Sequence, residues 1–353
     1  MKQLIFHYLG FNYTNIGDYI QSLAAKQYAK DEEDIIYWQR DDLGLFNQEK
    51  AYAIMNGWYL HKTENWPPSE SIDPIFVSVH FNAEAYDSLL SDTSLEYLKK
   101  HQPIGCRDKM TAHILKQRGI DAYFTSCLTT TLGYKYKKLD NSPRNGIYIV
   151  DPVHYIPESS RRLMKYRYIP QYLLHKRGID RYIKSLLENN SYDITWKKKH
   201  FEVLAQATRS YLLLKKILGK KLLKKATVLT QFHIAEEIPD NKSRFDRAEQ
   251  LLNIYSKAEL VITSRIHCAL PCLGLETPVI FLQNMDDTIE STCRFDGLID
   301  LLNVIKFKKN DIVESKFSLP IDPRDVQNSN DYWDKAQKLI SKCSAFAKLK
   351  STK

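Results

Sequence analysis

Residues 260–282 read LVITSRIHCALPCLGLETPVIFL. Leu260–Thr263 is short, apolar and β-branched, the pattern of a strand buried on both faces. Ile266–Leu275 reads as a helix that Ser264 can cap, and Pro278–Leu282 is a second buried strand. Strand, helix and strand in so short a span form a βαβ unit. Such a unit demands a parallel sheet with helices on its faces.

The same alternation extends outward in both directions. Upstream, Lys2–Leu9, Asp34–Trp38, Tyr52–Asn56, Ile75–His80, Pro103–Cys106, Ile120–Phe124, Ile147–Asp151 and Thr227–Gln231 read as strands. Helices are expected over Ile16–Ala29 after Asn15, over Thr111–Arg118 with Gly119 at its end, over Ser243–Lys257 and over Arg324–Lys348. The polar stretch Gly133–Asn145 has linker composition. The fold class is therefore α/β: residues 1–140 and 146–323 as two α/β domains facing across a cleft, with 324–353 as a C-terminal helix and tail. In parallel sheets, ligands gather at the carboxyl ends of strands, in the loops that lead into helices.

Composition narrows the function. The 353 residues are 43% hydrophobic and 26% charged, which suits a packed globular chain and argues against disorder. The net charge of +9 is unevenly placed: residues 161–225 hold 18 Lys/Arg against 4 Asp/Glu, while the remainder carries 33 basic and 38 acidic residues. One basic segment on a mildly acidic body, with no nucleic-acid-binding motif, excludes a general nucleic-acid binder. No apolar run reaches membrane-span length, and the N-terminus reads as a first strand rather than a signal peptide. Six scattered cysteines fit a reduced, cytoplasmic protein. The basic segment contains a stripe of Tyr211, Leu214, Leu218 and Leu222 with Lys216, Lys220 and Lys224 opposite. That stripe packs on the protein, or it meets anionic lipid at the inner face of a membrane.

The chain has no G-x-G-x-x-G, no G-x-x-x-x-G-K-[ST], no H-E-x-x-H and no G-x-S-x-G, and only 12 glycines with which to build a phosphate-binding loop. Polar residues instead collect at strand ends. Ser264-Arg265-Ile266-His267 opens a helix, where a guanidinium fork and backbone N–H groups suit an anion and a histidine can move a proton. Arg107-Asp108 follows another strand and reads either as a second cation at the site or as a surface pair. Asn15, Gly17, Asp18 and Gln21 open the first helix, where Asp18 is a capping carboxylate or a base. Asn56-Gly57-Trp58, His80 and Ser126 stand at further strand ends, and Trp58, Tyr59 and Trp66 suit either a sugar face or the core. A zinc site from His267, Cys268, Cys272 and Cys293 lacks any C-x-x-C pair, so no metal is expected.

These pieces, in this order, resemble the polysaccharide pyruvyltransferase family over about residues 1–302. The resemblance rests on Asn15-x-Gly17-Asp18-x-x-Gln21, Met55-Asn56-Gly57-Trp58, Asn65-Trp66-Pro67-Pro68, Pro103-Ile104-Gly105-Cys106-Arg107-Asp108 and Ser126-Cys127-Leu128-Thr129. It continues through Ser264-Arg265-Ile266-His267-Cys268-Ala269-Leu270-Pro271, Thr277-Pro278-Val279-Ile280 and Arg294-Phe295-Asp296-Gly297-Leu298. It implies two Rossmann-like domains in a GT-B-like arrangement. It also implies transfer of the enolpyruvyl carbons of phosphoenolpyruvate onto two hydroxyls of a sugar, to give a pyruvate ketal and phosphate. The acceptor so implied is a polysaccharide or capsule precursor, often lipid-linked. Phosphoenolpyruvate is itself the donor substrate, so no cofactor is implied.

On this resemblance Arg265 matches the donor-binding arginine, and the backbone N–H groups at Ile266 and His267 add to it. A donor with a carboxylate and a phosphate needs further cations, for which Arg107 and Arg294 are the candidates; His267 is the candidate proton donor and later phosphate contact, and Asp18 the candidate base on the acceptor side. Ser264, Asn15, Gly17, Asn56, His80 and Ser126 complete the expected substrate-binding set. Some relatives acting on cell-wall polymers place a Lys after the following strand, where this chain offers Arg294. A GT-B glycosyltransferase that uses a nucleotide sugar, and a non-catalytic scaffold of polysaccharide assembly, are the competing readings.

Overall fold

The computed structural model describes residues 1–8, 13–137, 142–152, 158–188, 200–287 and 292–352. Leu9, the centre of the expected linker (138–141) and residues 189–199 of the basic segment lie outside the described residues. The strands are β1 (Lys2–His7), β2 (Tyr13–Asn15), β3 (Ile35–Gln39), β4 (Ala51–Tyr59), β5 (Ile72–Phe81), β6 (Ile104–Cys106) and β7 (Ala122–Phe124). They continue with β8 (Ile147–Val150), β9 (Thr227–Leu229), β10 (Phe232–Ile234), β11 (Leu260–Thr263), β12 (Val279–Asn284), β13 (Asn303–Lys308) and β14 (Asp311–Ser315). The helices are α1 (Ile16–Lys26), α2 (Tyr86–Leu89), α3 (Asp92–Lys100), α4 (Lys109–Gln117) and α5 (Gly133–Tyr136). After them come α6 (Glu158–Glu188), α7 (His200–Leu223), α8 (Asn241–Lys257), α9 (Ile266–Gly274) and α10 (Trp333–Ser351).

Two six-stranded sheets result. The first runs β3-β1-β4-β5-β6-β7 and is parallel throughout. The second runs β14-β13-β12-β11-β8-β9 and is parallel except at its β13–β14 edge. This is the Rossmann-like, GT-B-like α/β fold expected from the sequence. The central strands are buried along their length, as at Leu260–Thr263, because helices cover both faces of a parallel sheet.

A third, two-stranded antiparallel sheet pairs β2 with β10, and the Ile16 amide donates to the Gln231 carbonyl at 2.8 Å. This link joins the end of the first β-α passage to the second sheet and holds α1 against α8 and α9. One core cluster joins Ile16, Ile20 and Leu23 of α1 with Leu251 and Leu252 of α8 and with Cys268, Cys272 and Leu273 of α9. Each fully buried Ile or Leu there contributes about 1.5–3 kcal/mol. The cysteines at 268 and 272 are thus core residues. Trp66 is a core residue too, its ring 5.0 Å from Tyr59 and 5.5 Å from Phe81.

Several sequence expectations are corrected. The opening of the expected linker is helical and tightly packed: a Cβ on Gly133 would lie 2.0 Å from the Gly274 carbonyl oxygen. The C-terminal helix starts at Trp333, not Arg324. The segment before it is held out of helix by Asn328, whose side chain donates to the Thr277 carbonyl at 2.6 Å and accepts from the Val279 amide at 3.1 Å. In the basic segment, Tyr211, Leu214 and Leu218 of α7 are buried in the core of the second sheet, and Lys216 pairs with Asp311 at 2.7 Å. Of the two readings of that stripe, packing on the protein is therefore the one the fold bears out at these three positions. Among the described residues no helix is long and apolar enough to cross a membrane.

Candidate active site

The carboxyl ends of strands from both sheets converge on one pocket. It is lined by Asn15, Asp18, Trp58, Arg107, Gln231, Ser264, Arg265, Ile266, His267 and Arg294. Arg107 follows β6, Arg265 follows β11 and Arg294 lies in a short turn after β12, so three guanidinium groups reach one place from three loops.

The cations are unevenly compensated. Arg265 Nε pairs with Asp151 Oδ2 at 3.3 Å, and its guanidinium lies 3.9 Å over the Phe232 ring. Asp151 is itself held by Thr230 Oγ1 at 2.6 Å and by the Gln231 amide at 3.0 Å. Neither Arg107 nor Arg294 makes an ion pair among the described residues, and each has a buried Nε with no hydrogen-bond partner there. Arg107 is only 2% exposed. Burial, reinforced by Arg107 and Arg265, pushes the Arg294 guanidinium down to about 10. Arg294 has the Phe295 ring 4.7 Å from its guanidinium and Arg107 the His267 ring, but neither has a carboxylate, and a cation so placed is costly until an anion arrives.

His267 sits among these charges, its Nε2 3.4 Å from Arg107 Nη1. Burial first, then Arg107, Arg294 and Arg40, hold its pKa well below the usual histidine value. The imidazole is therefore neutral near pH 7. Since a guanidinium only donates, the Nε2 facing it carries the lone pair. Gln231 Nε2 donates to the His267 carbonyl at 3.0 Å, which anchors the backbone of the turn.

The local build differs from the expected cap. Arg265, not Ser264, occupies the N-cap position of α9, without a side-chain cap bond. Ser264 Oγ donates to the Asp151 carbonyl at 2.6 Å instead. Asp151 adopts φ +41°, a left-handed conformation uncommon outside glycine, at the carboxyl end of β8. Arg107-Asp108 is not a surface pair. Asp108 is fully buried; it caps α4 by accepting from the Thr111 amide at 2.8 Å and meets His80 Nδ1 at 2.6 Å. Burial and Arg107 lower the His80 pKa despite that carboxylate.

Asn15 caps α1 by accepting from the Gly17 amide at 3.1 Å. Asp18 is not the cap; its Oδ1 takes Arg40 Nη1 at 3.2 Å and Gln21 Nε2 at 3.1 Å. Its Oδ2 has one long contact, from Asn15 Nδ2 at 3.4 Å. Four expected residues lie outside the pocket lining. Gly17 stands behind His267, where a Cβ would come within 3.1 Å of the His267 Cβ. Asn56 donates to the Gln21 carbonyl at 2.9 Å, His80 is tied to Asp108, and Ser126 stands at φ +68° with its buried hydroxyl unpartnered among the described residues. Sequence reading missed Arg40, Asp151 and Gln231. The first two follow the ends of β3 and β8, the position that singled out the residues it did find. Among the described residues no cluster of His, Cys, Asp or Glu is placed to hold a metal.

A family model for polysaccharide pyruvyl transferase matches residues 15–287, from the α1 cap to the loop after β12. The chain belongs to the polysaccharide pyruvyl transferase family. No curated protein and no solved structure matches it. Membership gives this family member a pyruvyl-transfer role in polysaccharide biosynthesis, and the matched span includes Asn15, Asp18, Arg107, Arg265 and His267.

Proposed function

We propose that the protein transfers the enolpyruvyl carbons of phosphoenolpyruvate onto two hydroxyls of a sugar in a polysaccharide precursor. The product is a cyclic pyruvate ketal, and phosphate is released. The observation that carries this reading is the cluster of Arg107, Arg265 and Arg294 around a neutral His267. The donor's phosphate carries about −1.5 to −2 at pH 7 and its carboxylate one charge more. Arg265 has Asp151 beside it, whereas Arg107 and Arg294 have no carboxylate partner among the described residues, so the cluster has cationic charge to spare. Residues 146–323 would carry the donor and residues 1–140 the acceptor, with 324–353 as a tail.

In this mechanism Arg265 and Arg294 hold the donor's anionic groups, and Arg107 stabilises charge on the departing phosphate. A neutral histidine has no spare proton, so His267 must first receive one. It takes the proton of the attacking sugar hydroxyl and passes it to the donor's methylene carbon, which becomes the methyl group. The hydroxyl oxygen bonds to the central carbon, and the bond from that carbon to the phosphate oxygen breaks. The second hydroxyl then closes the ketal on the same carbon. Asp18 Oδ2 orients that hydroxyl and takes its proton, which leaves to solvent. Trp58, half-buried in the pocket lining, offers a face for the sugar ring.

The test is incubation of the protein with phosphoenolpyruvate and candidate glycosyl acceptors. Phosphate release should accompany an acceptor mass gain of pyruvate less water, and both should be lost in Arg265→Ala and His267→Ala. Full activity in both variants would overturn the assignment.

A further inference from the structure

The burial of the α7 stripe moves any membrane contact elsewhere in the basic segment. The outward face of α6 is unusual. Tyr168, Tyr172, Ile179, Tyr182 and Ile183 turn inward, buried or half-buried. Leu173 and Leu174 point outward just before a kink at His175 (φ −118°, ψ 15°), and Arg177, Arg181 and Lys184, all exposed, follow it on the side away from Ile179, Tyr182 and Ile183. Leu173 and Leu174 are 66% and 73% exposed, and Ile169, one turn earlier, is 41% exposed.

We propose that this face of α6 docks on an anionic lipid bilayer, the leucines entering the interface and the basic residues meeting the headgroups. A surface helix that bares adjacent leucines to water wastes apolar area unless something covers it. The charge beside them selects the cover. Asp180 is taken by Lys176 at 2.5 Å and Glu188 lies 3.5 Å from Lys184, which leaves Arg177 and Arg181 without a carboxylate partner among the described residues. Apolar side chains flanked by uncompensated cations are the combination an acidic membrane surface attracts. A second copy of the chain would bring the same positive face and repel it. The site stands on α6 alone and does not depend on the donor assigned above.

Co-sedimentation with phosphatidylcholine vesicles, with and without phosphatidylglycerol, tests the proposal. The full-length protein should pellet with the anionic vesicles at low salt and be released as salt rises. Arg177→Gln and Arg181→Gln should each weaken binding by roughly fivefold. The double variant Leu173→Ser/Leu174→Ser should weaken it by about tenfold or more, with the thermal midpoint unchanged. Failure to pellet at low salt, equal binding to neutral vesicles, or undiminished binding by these variants would each overturn it. So would a concentration-dependent dimer in light scattering that the leucine variant abolishes while no vesicle binding is seen.

Discussion

Arg107 Nη1 stands 3.4 Å from His267 Nε2, joining a loop of the first sheet to the first turn after β11 in the second. Burial above all keeps the imidazole neutral, and this contact, with Arg294 behind it, adds to it. Replacing Arg107 with Gln removes a cation that opposes protonation, so the His267 pKa must rise. If the neutral form is the one that accepts the hydroxyl proton, the acid limb of the kcat/KM profile moves to higher pH in Arg107→Gln. A profile unchanged in shape and merely lowered would separate Arg107 from the proton step.

Arg294 is held in the fold at a cost, since burial and two neighbouring arginines push it down to about 10 and its Nε is unpartnered among the described residues. Arg294→Met should stabilise the unliganded protein in urea unfolding by about 1 kcal/mol, because a half-buried charge, offset only by the Phe295 ring 4.7 Å away, is replaced by an apolar chain of similar length. The same variant should lose about 100-fold in kcat/KM, the usual scale for removing one charge-stabilising group. Loss of both stability and activity would mean that Arg294 is a structural residue.

Gly17 of α1 faces His267 across the joint between the sheets. A Cβ there would stand 3.1 Å from the His267 Cβ and 3.2 Å from Gln231 Oε1. Gly17→Ala should therefore displace the histidine by a few tenths of an ångström and lower kcat by about tenfold, with little change in thermal midpoint. Crystals or kinetics showing an undisturbed His267 would contradict that close fit.

Buried histidines also set the response to acid. His233 and His7 are pushed down to about 4, chiefly by burial, with Arg247 and Arg244 adding to it. An unfolded chain binds these protons at the ordinary histidine value of 6.5. Between about 6.5 and 4 the unfolded state therefore holds more protons, and the stability present above this window is lost as pH falls through it. The slope is at most about 1.4 kcal/mol per pH unit for each histidine. It is less for the half-buried His7, whose charge water partly screens. Urea midpoints measured from pH 7 to 4.5 should fall, and His233→Gln should flatten the decline.

Much of this arrangement was legible because local chemistry and fold agree. Leu260–Thr263 forms the strand its apolar run dictates, Asn15 caps α1, and Gly119 takes the positive φ that ends α4. Arg265, His267 and Arg107 were visible because parallel sheets place ligands at strand ends. The illegible part depends on partners distant in the chain. Asp151 matters only because Arg265, 114 residues later, pairs with it. Asp18 reads locally as a cap or a base, whereas in the fold it is bonded to Arg40, 22 residues on. The neutrality of His267 comes from its burial between the two sheets and from arginines at 107, 294 and 40, none of which a local window shows.

The central claim is that three arginines form a site for phosphoenolpyruvate rather than for a nucleotide sugar. Calorimetric titration of the purified protein with each ligand tests it most directly. Phosphoenolpyruvate is predicted to bind the wild-type protein, and to bind Arg265→Ala about 100-fold more weakly, as expected when one charge-assisted bidentate contact is lost. Binding of a nucleotide sugar with no heat from phosphoenolpyruvate, or equal binding of phosphoenolpyruvate by Arg265→Ala, would contradict it.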